Sequence, residues 1–131
     1  MHKTSGLVPC LAVDGGQKAI AFYKAAFGAE EIRVSLAEDG ARVMYAHLRV
    51  NDADLFLWDF FPEYGQPVEK PAAVVVHVEV ADADALWQRS LAAGASVVIP
   101  LEMQFWGQRY GQIADPFGHR WSIGEPMRPA G

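Results

Sequence analysis

The stretch Ala19-Ile20-Ala21-Phe22-Tyr23-Lys24-Ala25-Ala26-Phe27-Gly28-Ala29 has a counterpart 66 positions downstream, Ala85-Leu86-Trp87-Gln88-Arg89-Ser90-Leu91-Ala92-Ala93-Gly94-Ala95. Both place apolar side chains at helical spacing and stop at a glycine, the residue that most readily takes the left-handed turn after a helix. The same offset carries Pro9-Cys10-Leu11 onto Val75-Val76-His77, the Asn51-Asp52 turn onto Phe117-Gly118, and Leu55 and Leu57 onto Trp121 and Ile123. An offset of 66 is close to half of 131 residues, so the chain reads as two similar modules in tandem. Two units are too few for a solenoid, which needs about three. Closed pairing of the modules within one domain, residues 1–131, is the architecture expected.

Outward from the first helix, Leu7 to Val13 alternates as a strand into the turn Asp14-Gly15-Gly16, and the helix occupies Gln17 to Phe27. Strands follow over Glu31 to Leu36, Arg42 to Val50 and Asp54 to Phe60, with turns at Glu38-Asp39-Gly40 and Asn51-Asp52. Module one, about residues 7–60, is β-α-β-β-β. Residues 61–71 hold Pro62, Gly65, Pro67 and Pro71 and form the linker. Module two, about residues 72–124, repeats the order. A strand over Ala72 to Val80 precedes a helix capped by Asp82 and running to Ala93, and a further strand spans Ala95 to Ile99. Pro100 to Gln108 reads as an aromatic loop. Strands Arg109 to Ala114 and His119 to Ile123 then flank the tight turn Asp115-Pro116-Phe117-Gly118. The tail from Glu125 is expected to fray, and His2 is terminal.

A chain of this length buries a real core as one domain. Its 51% hydrophobic and 21% charged content is that of an ordinary globule. A net charge of −5 with no basic stripe argues against nucleic acid as a partner. No run approaches the ~20 apolar residues of a membrane span, and residues 1–6 hold no signal-type run, so a cytoplasmic location is expected. Cys10 is the sole cysteine, which excludes an internal disulfide, and its strand alternation predicts a buried thiol. Gly-x-Gly-x-x-Gly, phosphate-cradling Lys-Ser/Thr and Gly-x-Ser-x-Gly patterns are all missing.

Phe22-Tyr23 in a helix ending Ala26-Phe27-Gly28-Ala29, followed by Ala92-Ala93-Gly94-Ala95 and Asp115-Pro116-Phe117-Gly118-His119-Arg120-Trp121, resembles the vicinal-oxygen-chelate superfamily. That superfamily includes glyoxalase I, extradiol dioxygenases and bleomycin-resistance proteins. The resemblance runs from about Leu7 to Ile123, and Phe105-Trp106-Gly107-Gln108-Arg109-Tyr110-Gly111 is similar to the glyoxalase/bleomycin-resistance-like subgroup. It implies an α+β fold in which two tandem βαβββ modules form a cup-shaped, half-open mixed sheet with helices on the outside, commonly in a homodimer. In the metal-using members, ligands come from the first and last strands of each module. Those places fall here at Val8, Phe56, Val75 and Ser122, none of them His, Cys or carboxylate.

The resemblance therefore implies a small-molecule-binding protein without a cofactor, sequestering an apolar or aromatic, antibiotic-like compound in a dimeric cup. The alternative is a metal-dependent lyase or dioxygenase whose divalent ion sits in a shifted site of His47, His77 and a carboxylate such as Glu79. A third reading makes the cup only a dimer core.

Strand parity from those positions turns Val75, His77, Glu79, Tyr45, His47, Arg49, Phe56 and Trp58 toward the cup, with Arg109, Gly111, Ile113, Arg120 and Ser122 as a further wall. The candidate ligand-binding residues are His47, Phe56, Trp58, His77, Trp106, Arg109 and Ser122; no catalytic residue is assigned. Each of His47 and His77 can be a ligand contact, a metal ligand or a hydrogen-bonded structural residue. Trp87 and Trp121 are expected in the core, His119 in a structural role, and Trp106 in a wall or lid. Arg109 either pairs with Asp115 or Glu102 to hold the loop, or binds an anionic or carbonyl group.

Overall fold

Each helix is closed by the glycine that ends its motif. Gly28 (φ 68°) and Gly94 (φ 118°) take the left-handed conformation, and N–H groups there return to the last helical carbonyls. The protein is seen in a computed structural model that describes residues 6–126, so His2 and the tail beyond Pro126 lie outside the described residues. The order is β1 (Cys10–Val13), α1 (Gly16–Phe27), β2 (Glu30–Leu36), β3 (Val43–Val50), β4 (Ala53–Asp59), a 3-10 turn (Pro62–Tyr64), β5 (Val75–Glu79), α2 (Ala83–Ala93), β6 (Ser96–Met103), β7 (Arg109–Ala114) and β8 (Arg120–Gly124). The β-α-β-β-β order thus occurs twice, in an α+β fold. No helix among the described residues is long and apolar enough to cross a membrane.

Two four-stranded mixed sheets result, ordered β1-β4-β3-β2 and β5-β8-β7-β6. In each, the first and last strands of a module run parallel and the other pairs are antiparallel. The chain divides into two compact units. One takes the chain through Lys24 with Gly28–Lys70, the other Ala25–Phe27 with the chain from Pro71.

In the first unit, Leu11, Val13, Ala46, Leu48, Leu55 and Leu57 make one face of the sheet the core face. In the second, Ile113, Trp121 and Ile123 do the same, and Phe27 packs on Trp121 with ring centroids 4.7 Å apart. Trp87 of α2 lies directly over β7. A Cβ at Gly111 would come within 2.7 Å of its ring and 2.8 Å of the Leu101 Cα, so only glycine allows that approach. Trp87 and Trp121 are in the core, as expected.

A carboxylate at the end of the last strand ties each helix to its sheet. Asp59, 5% exposed, accepts from the N–H groups of Gly15, Gly16 and Val43 at 2.6–3.0 Å. Glu125, 66 positions on, accepts from Ala83 N–H at 3.0 Å. Both satisfy helix N-terminal donors that have no partner within the helix. Asp82 adds the expected cap, accepting from Ala85. Glu125 is thus bonded rather than frayed.

Three expectations need correction. β6 does not end at Ile99 but continues through Pro100 to Met103. It can do so because it is an edge strand whose register slips on both sides of Ile99, where a residue lacking N–H is tolerated. Cys10 is exposed, since it stands opposite Phe56 on the face away from the core. The offset between first strands is 67, not 66: Cys10 pairs with Phe56 as His77 pairs with Ser122. The extra residue lies in the helices, 12 residues in α1 against 11 in α2.

An ion network closes the first unit. Arg42 donates from Nε to Asp39 at 2.8 Å and from both terminal nitrogens to Glu63 at 3.0 and 2.7 Å, with its guanidinium 4.4 Å from the Phe61 ring centroid. Hydrogen bonding to Arg42 pulls the Asp39 carboxyl from 3.8 down to about 2, helped by the Ala41 and Arg42 N–H groups, and lowers Glu63 as well.

Two outcomes follow from these carboxylates. Asp59→Asn leaves buried N–H donors facing an amide, and urea denaturation is expected to show a loss of about 2–3 kcal/mol. Asp39 is depressed in the folded state, so its contribution is present above pH 3.8 and lost as pH falls toward about 2. Arg42→Ala should flatten the pH dependence of stability in that window, and an unchanged slope would dismiss the network as a stabilising element.

Candidate functional site

The face of each sheet away from its core carries the candidate side chains. In the first unit the pairings Phe56–His47, Asp54–Arg49, Cys10–Phe56 and Ala12–Trp58 set Tyr45, His47, Arg49, Asp54, Phe56 and Trp58 on this face. Tyr45 and His47 flank Phe56, with centroids 5.4 and 5.0 Å from its ring. His47 Nε2 meets Asp54 Oδ1 at 2.7 Å, and both side chains are about nine-tenths buried. This imidazole is committed to a carboxylate within its own sheet.

Beside this cluster lies a pocket of about 310 Å³ lined by Met44, Tyr45, Trp58, Phe61, Tyr64 and Gln66. Its outer wall is built by the turn after β4. The Phe61 carbonyl accepts from Tyr64 and Gln66 N–H at 2.9 and 3.0 Å, and Gly65 (φ 85°) lets the chain reverse. Arg42, anchored on Asp39, holds Glu63 in that turn and covers Phe61. Four aromatic rings and a thioether with one amide is the usual make-up of a small-molecule pocket. Met44, Phe61, Tyr64 and Gln66 were not singled out in the sequence. Three of them fall in the stretch read as linker, where strand parity has no purchase.

In the second unit the corresponding face is polar. His77 Nδ1 meets Ser122 Oγ at 2.7 Å and its Nε2 lies 3.5 Å from Glu79 Oε1. The His77 ring stacks on Tyr110 at 5.9 Å, and Gln112 donates to the Tyr110 hydroxyl at 2.9 Å. Trp106 stands edge-on to Tyr110, centroids 5.3 Å apart and planes at 69°. Gln108, 9% exposed, accepts from Trp106 Nε1 at 2.9 Å. A Cβ at Gly124 would lie 2.8 Å from Gln108 Nε2 and 3.1 Å from His77 Cε1, so the bare glycine makes room for both side chains.

The sequence-derived residues therefore separate. His47, Phe56 and Trp58 come together on the first sheet, and His77, Trp106 and Ser122 on the second. Arg109 belongs to neither group. The hairpin at Asp115–Gly118 sets Ala114 opposite Arg120 and Gln112 opposite Ser122, so Arg109, Gly111 and Ile113 lie on the core face, contrary to the parity expected. Arg109 pairs with Asp84 of α2 at 2.6 and 3.0 Å rather than with Asp115 or Glu102, and hydrogen bonding to it lowers the Asp84 carboxyl. Asp115 instead accepts from Phe117 and His119 N–H and from Trp121 Nε1. Asp59 is a structural acceptor. Gln108, which organises the Trp106 loop, was visible in the sequence only as one letter of the aromatic motif.

The chelating places offer a divalent ion little. Val8, Val75 and Phe56 have no donor, and the Ser122 hydroxyl is engaged with His77. Among the described residues, one group of three His, Cys, Asp or Glu side chains has donor atoms within 4.8 Å of each other: Asp82, Asp84 and Glu125. Each is already bonded, to Ala85, Arg109 and Ala83 respectively.

With this geometry in place, three similarities are informative. An uncharacterized protein of Mycobacterium bovis is 44% identical over 128 residues, spanning 93% of this chain and 84% of its own length. The crystal structure of TioX from Micromonospora sp. ML1 is 28% identical with a TM-score of 0.74, covering 93% of this chain and 98% of its own. A glyoxalase-related enzyme from Fulvimarina pelagi, 21% identical, shares the fold with a TM-score of 0.76 over 95% of this chain and 89% of its own. A family model matches residues 6–123. The chain belongs to the Glyoxalase/Bleomycin resistance protein/Dioxygenase superfamily.

Proposed function

We propose that the chain is a small-molecule-binding protein of this superfamily, sequestering an apolar or aromatic compound as a homodimer, without a resident metal ion. The observation that carries this reading is the pocket of about 310 Å³ walled by Tyr45, Trp58, Phe61 and Tyr64. Its volume lies at the lower end of the ~300–1,000 Å³ range of ligand pockets. Stacking on Trp58 and Tyr45 supplies affinity, and Gln66 orients one polar group of the ligand. Trp58 lines this pocket, and Phe56 and His47 back its Tyr45 wall, Phe56 lying 5.4 Å from the Tyr45 ring and 5.0 Å from His47. The nearby imidazole is bonded to Asp54 and has a supporting rather than a reactive role.

Support for the metal-free part is the chemistry of the donor set: three of the four chelating places carry hydrocarbon side chains and the fourth a hydroxyl bonded to His77. Support for the homodimer is apolar surface on two of the four edge strands, β2 and β6. Ile32 and Leu36 on β2, and Val97, Val98, Ile99 and Met103 on β6, are 37–62% exposed. Surface of this kind is expected to be covered in an assembly.

Two measurements test the proposal. The uncharged fluorophore N-phenyl-1-naphthylamine should brighten saturably with the protein, and Trp58→Ala should weaken its binding about tenfold, the equivalent of ~1.4 kcal/mol. An absence of saturable binding, or affinity indifferent to Trp58, would refute the pocket. Native mass spectrometry of protein purified without chelator should show two chains and no bound ion. A one-chain mass removes the homodimer, and one ion per chain returns the metal-dependent alternative.

A further inference from the structure

We propose that the second unit carries its own binding site, for an organic ammonium ion, independent of whether the Trp58 pocket takes an aromatic ligand. The site is the Glu79 carboxylate with the aromatic corner of Trp106 and Tyr110. One amide organises all of it: Gln108 accepts from Trp106 Nε1 at 2.9 Å while its Nε2 donates to Glu79 Oε1 at 3.4 Å and to the Glu125 carbonyl at 2.9 Å. The indole and the carboxylate are therefore fixed to the same buried side chain.

The loop that presents Trp106 is ordered in the same way. Gln104 N–H donates to the Gln108 carbonyl at 2.9 Å, Gly107 N–H to the Gln104 carbonyl at 3.0 Å, and Gln104 Nε2 to the Tyr110 carbonyl at 3.0 Å. Gly107 (φ 87°) closes the turn. Trp106 nevertheless remains 38% exposed, and the Glu79 side chain 51%. A rigid aromatic surface and a carboxylate, both still reaching solvent, are what a ligand would meet.

Charge selects the class of ligand. The indole of Trp106 offers a π face that attracts a cation, Tyr110, stacked on His77, backs it edge to face, and the Glu79 carboxylate accepts the cation's N–H groups. Glu102, paired in register with Tyr110, adds a second negative charge to this face. On the same face of β5, β7 and β8 the one Arg or Lys is Arg120, which stands opposite Val75, whereas Glu79 stands opposite Gly124. Those two register positions are four residues apart along β8, roughly 13 Å. A bare Mg2+ or Ca2+ ion is served poorly, because it needs about six oxygen ligands and gains nothing from indole. An alkyl- or arylammonium uses every element of the arrangement.

The test is a titration of the full chain followed by the Trp106 indole N–H signal in nitrogen-15 NMR, identified by its loss in Trp106→Phe. Benzylammonium chloride and benzyl alcohol are compared at one ionic strength. Benzylammonium should shift the signal saturably and bind about tenfold more tightly than the alcohol, a preference that Glu79→Gln removes and Gln108→Leu weakens. Trp58→Ala should leave the titration unchanged. Equal affinity for the ammonium and the alcohol in the unaltered protein would overturn the site, as would a preference that survives Glu79→Gln. A response abolished by Trp58→Ala would assign the signal to the pocket of the first unit and likewise overturn it.

Discussion

In each unit a carboxylate at the end of the last strand accepts a hydrogen bond from the start of the helix: Asp59 from Gly15 and Gly16, Glu125 from Ala83. A helix leaves its first N–H groups without intrahelical partners and concentrates partial positive charge there, so a negative acceptor answers both needs. Here the acceptor is supplied from across the sheet. The first strand, the turn into the helix and the last strand are thereby fixed to one another, and the parallel pairs β1–β4 and β5–β8 take their register beside that anchor. Which side chains of β4 and β8 face away from the core follows from it.

The order of elements was legible because the signals that specify it are local. Glycine after each helix, Asp82 before the second, and the Asp115-Pro116-Phe117-Gly118 turn each act within a few residues, and each is where the sequence puts it. Errors came where a reading had to be carried over distance. Parity carried from the chelating positions to β7 put Arg109 on the wrong face, whereas pairing across the hairpin at Asp115 sets Gln112, not Gly111, beside Ser122 and so turns Arg109 to the core face. A single offset of 66 hid the one-residue difference between the helices, and with it the equivalence of Cys10 and His77. Alternation alone says that Cys10 lies on one side of a strand, not which side is buried. The matching of Asp59 with Glu125 was available at the same offset, but a carboxylate reads as an anchor only once its donors are seen.

The candidate sites show the same division. His47, Phe56 and Trp58 share a face because strand periodicity is strict, and so do His77 and Ser122. What completes each site comes from irregular chain. Phe61, Tyr64 and Gln66 reach the first through a turn clamped by Arg42, and Trp106 reaches the second through a loop organised by Gln108. Turns of this kind are set by side-chain hydrogen bonds between distant positions, such as Arg42 with Glu63 or Gln108 with Glu79, and no periodic pattern announces them. The two faces differ in balance accordingly: the first groups Tyr45, Phe56 and Trp58 around one His47–Asp54 pair, and the second links His77 to Ser122 and Gln108 to Glu79 by hydrogen bonds.

Pro100 has a consequence for how the second sheet can grow. The outer margin of β6 offers no continuous row of donors and acceptors, since proline brings no N–H and the spacing to β7 breaks on both sides of Ile99. An incoming strand from another molecule could not zip along it. The apolar side chains above and below β6 can be covered by a flat surface, yet runaway stacking into fibrils is discouraged at this edge.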